Sequence, residues 1–310
     1  GYTEDPQEQI VYVSAHDNET LFDAIQLKAP AGATVEERAR MAVLGLSITA
    51  LSQGIPFFHA GDELLRSKSL DRNSYNSSDW FNRIDWSGQE NTFGSGLPPA
   101  GDNEASWPLM QPLLADAALR PTPELMQATY AQFRELLQIR RSTPLFRLRD
   151  AEQVQRMVSF PNTGPEQVPG LIVMRISDNG AERLDPNIGE VIVLFNAAPE
   201  AATFSDAAFQ GAGLALHELL AASVDERAAS SSFDAASGAF TVPGRTTAVF
   251  VADAPLASAP AQEATATPAP QAETAPAASA TPAADAPTAT PATPTPAPAG
   301  GGTSPAFWVA

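Results

Sequence analysis

The chain has 310 residues, no cysteine and a formal charge of −18, with 36 acidic side chains against 18 basic ones. Because an acidic surface repels phosphate groups, the sequence excludes nucleic-acid binding and docking on an anionic membrane. The lack of cysteine excludes disulfides, thiolate nucleophiles and cysteine metal sites, and three histidines make a histidine cluster a poor candidate. The longest mostly apolar run, 41–51, is far shorter than the roughly 20 residues of a membrane-spanning helix. No membrane insertion is expected.

Residues 1–144 have the pattern of alternating strands and helices. The β-branched and aromatic runs Gln9–Ser14 and Ile55–His59 are typical of short buried strands. Between them, Thr34 and Glu37 form a capping box at the start of a helix that ends before Gly54. The order of strand, helix and strand predicts a βαβ unit.

A long polar and aromatic stretch, 62–121, follows this unit. Connections of this length are usually functional or disordered, and its tryptophans argue against disorder. A second helix then begins with Thr122 as N-cap and Pro123 at its first position, and it ends before Pro144.

From residue 145 the pattern changes to short strands separated by turns. They are predicted at Val154–Phe160, Leu171–Ser177, Val191–Asn196, Ala201–Ser205, Leu214–Leu220, Ser232–Asp234, Ala239–Val242 and Ala248–Ala252. Ser237 and Gly238 are predicted to form a hairpin turn. The pattern predicts an antiparallel β-sandwich over residues 145–252.

The segment Asp253–Ala310 contains 12 of the 28 prolines and neither Lys nor Arg. It has too little large apolar surface to offset the entropy lost on ordering, so residues 253–304 are predicted to be a disordered Pro/Ala/Thr/Gly linker. Residues 305–310 are either the start of a further β module or a short apolar tail.

Three segments carry candidate chemistry. His16, Asp17 and Asn18 follow the first strand, and catalytic groups collect at this end of the strands in α/β proteins. The alternative is that Asp17 and Asn18 cap an ordinary turn. After the second strand, Gly61 lets the backbone turn and leaves Asp62 and Glu63 at the rim, or the same residues form a solvated acidic turn. The third segment, 72–82, mixes aromatic rings with Asn, Asp and Arg, as sugar sites do and as some packed surface loops do.

Several long strings in this sequence resemble one family. They are 1–3 with Asp5-Pro6-Gln7-Glu8 followed by 12–23, then 54–65, Ser74-Tyr75-Asn76-Ser77 with 79–83, and 162–165 with 168–174. These strings resemble the bacterial type I pullulanases, which are pullulanase-type α-1,6-glucosidases of the α-amylase superfamily, glycoside hydrolase family 13. The resemblance covers about residues 1–252.

The resemblance implies roles for individual residues. Asp17 corresponds to a carboxylate that steadies the oxocarbenium-like transition state, and it is the one catalytic residue expected here. Substrate-binding roles are implied for His16, Asn18, Arg72, Asn73, Tyr75, Asp79 and Asn82. Ser78 stands where the family usually has Gly, so a positive φ at this position would strain the loop.

The resemblance also implies an architecture of α/β plus all-β type. Residues 1–144 correspond to the last two βα units, strands 7 and 8, of a (β/α)8 barrel, and 145–252 to a C-terminal β-sandwich. The family's nucleophile and general acid come from motifs with no counterpart here. We therefore expect a C-terminal fragment that is inactive alone and whose partner is the missing N-terminal part of its own barrel.

The expected function is hydrolysis of α-1,6-glucosidic links in pullulan, limit dextrins or glycogen and amylopectin branches by a retaining mechanism. Two alternatives remain open: a starch-binding or scaffold module, and another debranching activity of the superfamily such as isoamylase or amylopullulanase.

No organic cofactor is expected; calcium is common in the superfamily, but these residues indicate no ligand set. Pro/Thr/Ala linkers favour an extracellular or cell-surface location.

Overall fold

The computed structural model describes residues 3–180 and 183–254. Within these ranges the helices are α1 (Leu21–Lys28), α2 (Val35–Leu51), α3 (Ser78–Asn82), α4 (Ala100–Asn103), α5 (Trp107–Ala115), α6 (Pro123–Ser142), α7 (Ala151–Met157), α8 (Glu218–Ala221) and α9 (Glu226–Ala229). The strands are β1 (Ile10–Val11), β2 (Ile55–Pro56), β3 (Val158–Ser159), β4 (Leu171–Ser177), β5 (Ile188–Asn196), β6 (Ala202–Ser205), β7 (Ala215–Leu216), β8 (Ser232–Asp234), β9 (Ala239–Val242) and β10 (Thr246–Asp253). Apart from positions 253 and 254, the predicted linker and the segment 305–310 lie outside the described residues.

A parallel pair of short strands positions the candidate site. Ile10 of β1 lies opposite Ile55 of β2, and α1 and α2 lie between the two strands in sequence. The predicted order and parallel direction are therefore confirmed, although each strand is shorter than predicted. The last ladder hydrogen bond runs from the Phe57 N–H to the Val11 carbonyl (2.8 Å), and beyond it the two segments no longer pair.

Local capping signals explain the two longest helices. At the start of α2, the Glu37 N–H donates to the Thr34 hydroxyl and the Thr34 N–H donates to the Glu37 carboxylate. At the start of α6, the Thr122 hydroxyl accepts from the Leu125 N–H, and Pro123 takes the first position. Both predicted helices are confirmed. They share one hydrophobic cluster, which includes Ala39, Ala42, Leu46, Met126 and Phe133.

Two antiparallel sheets follow these helices. One has the order β3-β4-β5-β10-β7 and the other β6-β9-β8. The predicted strands at β4, β8 and β9 are confirmed with the same bounds. Gly238, with a φ of 67°, lies in the turn between the paired strands β8 and β9, as the sequence predicts.

Strand β5 is buried on both faces because its side chains alternate between two hydrophobic clusters. Ile192 and Leu194 join the cluster that the two sheets share. Val191 and Val193 join a cluster that also includes residues of α2 and α6. This second cluster takes residues from both sides of the predicted boundary at 144/145, and the boundary itself stays a prediction.

Two segments predicted as strands are partly helical. In place of the strand Val154–Phe160 the chain has α7 and then only two residues of β3, because Asp150 accepts from the Gln153 N–H (2.8 Å) and starts a helix. The predicted strand Leu214–Leu220 contains β7 and the start of α8, where the His217 imidazole is the N-cap. Helix α7 begins before the predicted strand and extends into it, whereas α8 begins at a polar cap inside an apolar run. Strand periodicity alone reveals neither helix.

Candidate active site

Asp17 and Asn18, two of the three candidate residues that follow the first strand, line a surface pocket, and the third, His16, does not. The pocket has a volume of about 400 Å³ and is lined by Asp17, Asn18, Arg72, Asn73 and Asp102. The first four are predicted from the sequence, and Asp102 is not. The fold thus brings together two of the three candidate segments, although they lie far apart in the sequence.

The side chains of His16 and Asp17 are open to solvent. They are 86% and 79% exposed, and His16 Nε2 lies 3.6 Å from Asp17 Oδ2. The next residue, Asn18, has a φ of 61°, a left-handed conformation that Asn tolerates better than most residues. The chain therefore turns sharply after Asp17, and its carboxylate is accessible to a ligand.

Asn73 is held in the pocket wall by two carboxylates. Its side-chain amide donates to Asp102 Oδ2 (2.7 Å), and its backbone N–H donates to Asp71 Oδ1 (3.0 Å). The buried Asp71 also accepts from the Asn103 side chain (3.1 Å). Asp102 has no motif around it, so the only signal for it in the sequence is its place in the long polar stretch 62–121.

Tyr75, Asp79 and Asn82 lie close in sequence to Arg72 but are not among the residues that line this pocket. Tyr75 is 81% exposed. The Asn82 amide donates to the carbonyls of Ser74 (2.7 Å) and Ser78 (2.9 Å), and its Oδ1 accepts from the Ser74 hydroxyl (2.8 Å). Asn82 therefore stabilises its own loop, and contact of these three residues with a glucan stays a prediction.

Ser78 has a φ of 70°, which is the positive value that would make a non-glycine residue strained. We expect Ser78→Gly to raise the free energy of unfolding by about 0.5 kcal/mol, because relief of a left-handed strain of ~1–2 kcal/mol exceeds the entropic cost of Gly. Ser78→Val should lower the free energy of unfolding by about 1 kcal/mol, since a β-branched side chain fits this conformation worse. Urea denaturation measures both changes, and a destabilising Gly would contradict the interpretation.

Behind the second strand, His59 and Asp62 form a largely buried pair. His59 Nδ1 lies 4.0 Å from Asp62 Oδ1, and Arg66 Nη1 lies 3.1 Å from His59 Nε2. Burial, with smaller contributions from the Arg66 charge, lowers the pKa of His59 to about 4. Burial raises the pKa of Asp62 to about 6 even though the Ser14 hydroxyl donates to this carboxylate. Near pH 5 both groups are therefore mainly uncharged.

The His59 pKa has a consequence for stability. The pKa lies below its usual value of 6.5 in the folded chain, so this group's contribution is present above pH 6.5 and is lost as the pH falls towards 4. The free energy of unfolding of the unaltered chain should therefore fall more steeply than that of His59→Gln as the pH is lowered from 7 to 5. We expect the difference between the two proteins to change by up to about 2 kcal/mol in favour of His59→Gln. Asp62 is present in both proteins, so its opposite contribution enters the difference only through its contact with His59. Urea denaturation at both pH values checks this, and a pH-independent difference would contradict it.

The described part of the chain offers no candidate metal centre, since it contains no group of three or more acidic or histidine side chains that could hold an ion. No helix in that part is both long and apolar enough to cross a membrane. No ligand residues for calcium are predicted from the sequence, and the described side chains indicate none.

Comparison with known proteins relates this geometry to a family. The sequence model for "Alpha-1,6-glucosidases, pullulanase-type, C-terminal" matches residues 88–253. Pullulanase 1, chloroplastic, of Arabidopsis thaliana is 51% identical over 255 residues, which are 81% of this chain and 26% of that protein. The pullulanase of Klebsiella pneumoniae is 39% identical over 252 residues, which are 81% of this chain and 23% of that protein.

The fold agrees with the sequence comparison. The crystal structure of Klebsiella pneumoniae pullulanase complexed with maltotriose matches with a TM-score of 0.78 at 38% identity, over 83% of this chain and 24% of that chain. This chain spans about a quarter of the length of the curated relatives that it matches. The family model covers more than half of the residues, and the helices and antiparallel sheets follow those of the solved pullulanase. The chain belongs to the pullulanase-type alpha-1,6-glucosidases.

Proposed function

We propose that this chain supplies one side of the active site of an α-1,6-glucosidase that acts on branched or mixed α-glucans: pullulan, limit dextrins, and glycogen or amylopectin. The observation that carries the proposal is the exposed Asp17 carboxylate at a pocket lined by Asn18, Arg72 and Asn73. It is found in a chain with 51% identity to a named pullulanase. The maltotriose in the related Klebsiella structure is an α-glucan of the same chemical class.

The pocket side chains suit the chemistry of glycoside cleavage. The sugar passes through an oxocarbenium-like transition state, and a carboxylate beside the developing positive charge lowers the barrier. Asp17 takes this role. Asn18, Arg72 and Asn73 offer amide and guanidinium groups that hydrogen-bond sugar hydroxyls, and His16, beside Asp17, adds an imidazole for the same purpose.

A retaining reaction also needs a nucleophile and a general acid about 5–5.5 Å apart. In this proposal both come from a preceding part of the same barrel, whose last two βα units are built on β1 and β2, and residues 145–252 are the C-terminal β-sandwich. An uncovered apolar surface around the two strands supports this arrangement. Its members are 43% to 58% exposed: Ile10, Tyr12, Val13, Ile55 and Phe57. Further barrel strands would cover it, and the chain alone is expected to be inactive.

The same proposal includes a domain boundary at 144/145 and an extracellular or cell-surface location of the protein. The Pro/Ala/Thr composition of 253–304 supports a linker of the kind found in exported modular glycosidases. An extracellular or cell-surface protein fits that composition, and fractionation of the native host with an antibody against this chain would test it.

The proposed activity is tested by joining this chain to the preceding part of the Arabidopsis thaliana relative, in place of the 255 residues that it matches. We expect the chimera to release reducing ends from pullulan and the chain alone to release none. A folded chimera without activity would contradict the proposal. So would cleavage by the chain alone that Asp17→Asn abolishes, because the nucleophile and acid would then lie within these residues.

A further inference from the structure

A lysine lies inside the structure directly beneath the candidate catalytic segment. Lys68 is 1% exposed. It is one of only two lysines in the chain, and the other, Lys28, is exposed. An ammonium group loses its hydration when buried, so a buried lysine is stable only where other polar groups replace the water. The groups that surround Lys68 therefore indicate what it does.

The Lys68 ammonium contacts the backbone on both sides of Asp17. Nζ donates to the Asn18 carbonyl (2.7 Å) and to the His16 carbonyl (3.3 Å). These two carbonyls flank the residue whose carboxylate reaches the pocket. A hydrogen bond from a charged donor is stronger than one between neutral groups, so this single side chain fixes the backbone before and after Asp17.

Lys68 is itself held by a buried carboxylate. Its backbone N–H donates to Asp23 Oδ2 (2.6 Å), and the Ser67 hydroxyl donates to Asp23 Oδ1 (2.6 Å). Burial lowers the pKa of the Lys68 ammonium, while the negative charges of Asp23 and Asp71 act in the opposite direction. The charges of Asp23 and Asp71 thus favour the charged form of the ammonium, whose hydrogen bonds go to the His16 and Asn18 carbonyls.

The backbone after Lys68 is strained. Ser69 and Leu70 have φ values of 52° and 67°, in the left-handed region that non-glycine residues rarely adopt. Surrounding bonds hold this conformation: the Ser69 hydroxyl donates to the Gly96 carbonyl (2.6 Å), and its N–H donates to the Ser67 hydroxyl (2.8 Å). Strain of this kind persists only where the surroundings fix the backbone, and it is concentrated near functional sites.

We propose that Lys68 is a positioning residue that fixes the Asp17 carboxylate in its working geometry through the carbonyls of His16 and Asn18. The catalytic part of this inference rests on the proposed function. A displacement of about 1 Å at a reacting group lowers the rate by up to ~10²-fold. Lys68 thus lies in a different segment of the chain from Asp17, the residue that it orients.

The first experiment uses the unaltered chain and needs no activity. With only two lysines, the proton–nitrogen spectrum of the side-chain ammonium groups is simple to assign. We expect a slowly exchanging Lys68 signal with hydrogen-bond couplings to the carbonyl carbons of His16 and Asn18, and the exposed Lys28 is the control. A Lys68 ammonium that exchanges as fast as that of Lys28, or that couples to neither carbonyl, would overturn the inference.

The second experiment compares Lys68→Met with Ser67→Ala. Ser67→Ala removes two hydrogen bonds from the same buried cluster and leaves the ammonium in place. In the chain alone, we expect the backbone nitrogen order parameters of residues 16–18 to fall below about 0.6 in Lys68→Met and to stay unchanged in Ser67→Ala. Equal order in the two variants would contradict a positioning role. If Lys68→Met does not fold, the ammonium couplings of the unaltered chain decide whether Lys68 binds the His16 and Asn18 carbonyls.

The chimera separates this inference from the proposed function. We expect Lys68→Met to lower kcat on pullulan by about 10²-fold with KM changed less than about threefold, and Lys68→Arg to recover part of the loss. Full kcat in a folded Lys68→Met chimera would overturn the positioning role. An inactive unaltered chimera would instead contradict the proposed function. The backbone order parameters of residues 16–18 would still test whether Lys68 fixes this segment.

Discussion

Replacing Asp17 by Asn should lower the kcat of the chimera on pullulan on the order of 10³-fold, because an amide carries no charge to oppose the developing oxocarbenium ion. The side chain keeps its size and one of its two acceptor oxygens, and the lost charge acts mainly in the transition state, so KM should change much less than kcat. Asp17 is 79% exposed, and the substitution should therefore leave the thermal midpoint of unfolding within a few degrees of the unaltered protein.

The matched control for Asp17→Asn is Glu104→Gln. Glu104 is also exposed and lies two residues beyond Asp102, but it does not line the pocket. This control removes one exposed negative charge close in sequence to a pocket residue, and kcat should stay within about twofold since exposed charges interact weakly at a distance. Equal losses in the two variants would indicate a general effect of charge and would contradict a specific role of Asp17.

The elements that the sequence predicts well are those with strong local signals at their ends. Helix α2 has the capping box of Thr34 and Glu37, and α6 has a Thr cap followed by Pro. Helix α1, capped by Thr20, has only eight residues, and its capping signal alone does not predict a helix. Helix α5 is hidden for a different reason: it contains Pro112, and an internal proline normally marks a helix end.

The candidate site divides in the same way between local and distant contacts. Asp17 and Asn18 are predictable because they follow a strand and belong to a recognisable string. Lys68 and Asp102 are not, since their partners lie in other segments: Lys68 donates to the Asn18 carbonyl and Asp102 accepts from the Asn73 amide. A polar side chain in a non-periodic stretch gives no indication of which distant backbone it contacts. Only the folded chain identifies such supporting residues.

Arg140 is another residue whose role depends on distant contacts. It lies near the end of α6 and is largely buried, and it donates to the carbonyls of Ala50 (2.8 Å), Ser52 (2.8 Å) and Gly54 (2.9 Å). These carbonyls lie around the end of α2 and just before β2. The last carbonyls of a helix lack partners within the helix and carry partial negative charge, so a cation is favoured there. Arg140 therefore caps α2 from another helix and joins it to the second strand.

Arg140→Met should lower the free energy of unfolding by about 3–4 kcal/mol. Three carbonyls lose a charged donor, and each such hydrogen bond contributes roughly 1.5–3 kcal/mol, part of which is offset because the guanidinium no longer has to be desolvated. Urea denaturation of the chain measures the change. The control is Arg141→Met, which removes the same charge from the neighbouring exposed position and should cost no more than about 0.5 kcal/mol.

The comparison of Arg140 with Arg141 also tests how the strand pair is held. If Arg140 acts mainly through the Gly54 carbonyl, its loss should increase hydrogen exchange at the Ile55 and Phe57 amides, which donate to the Gln9 and Val11 carbonyls of the first strand. If it acts only as a cap for α2, exchange should increase in the last turn of that helix and not in β2. Increased exchange in both would mean that one side chain couples α2 to the strand pair, as its three contacts indicate.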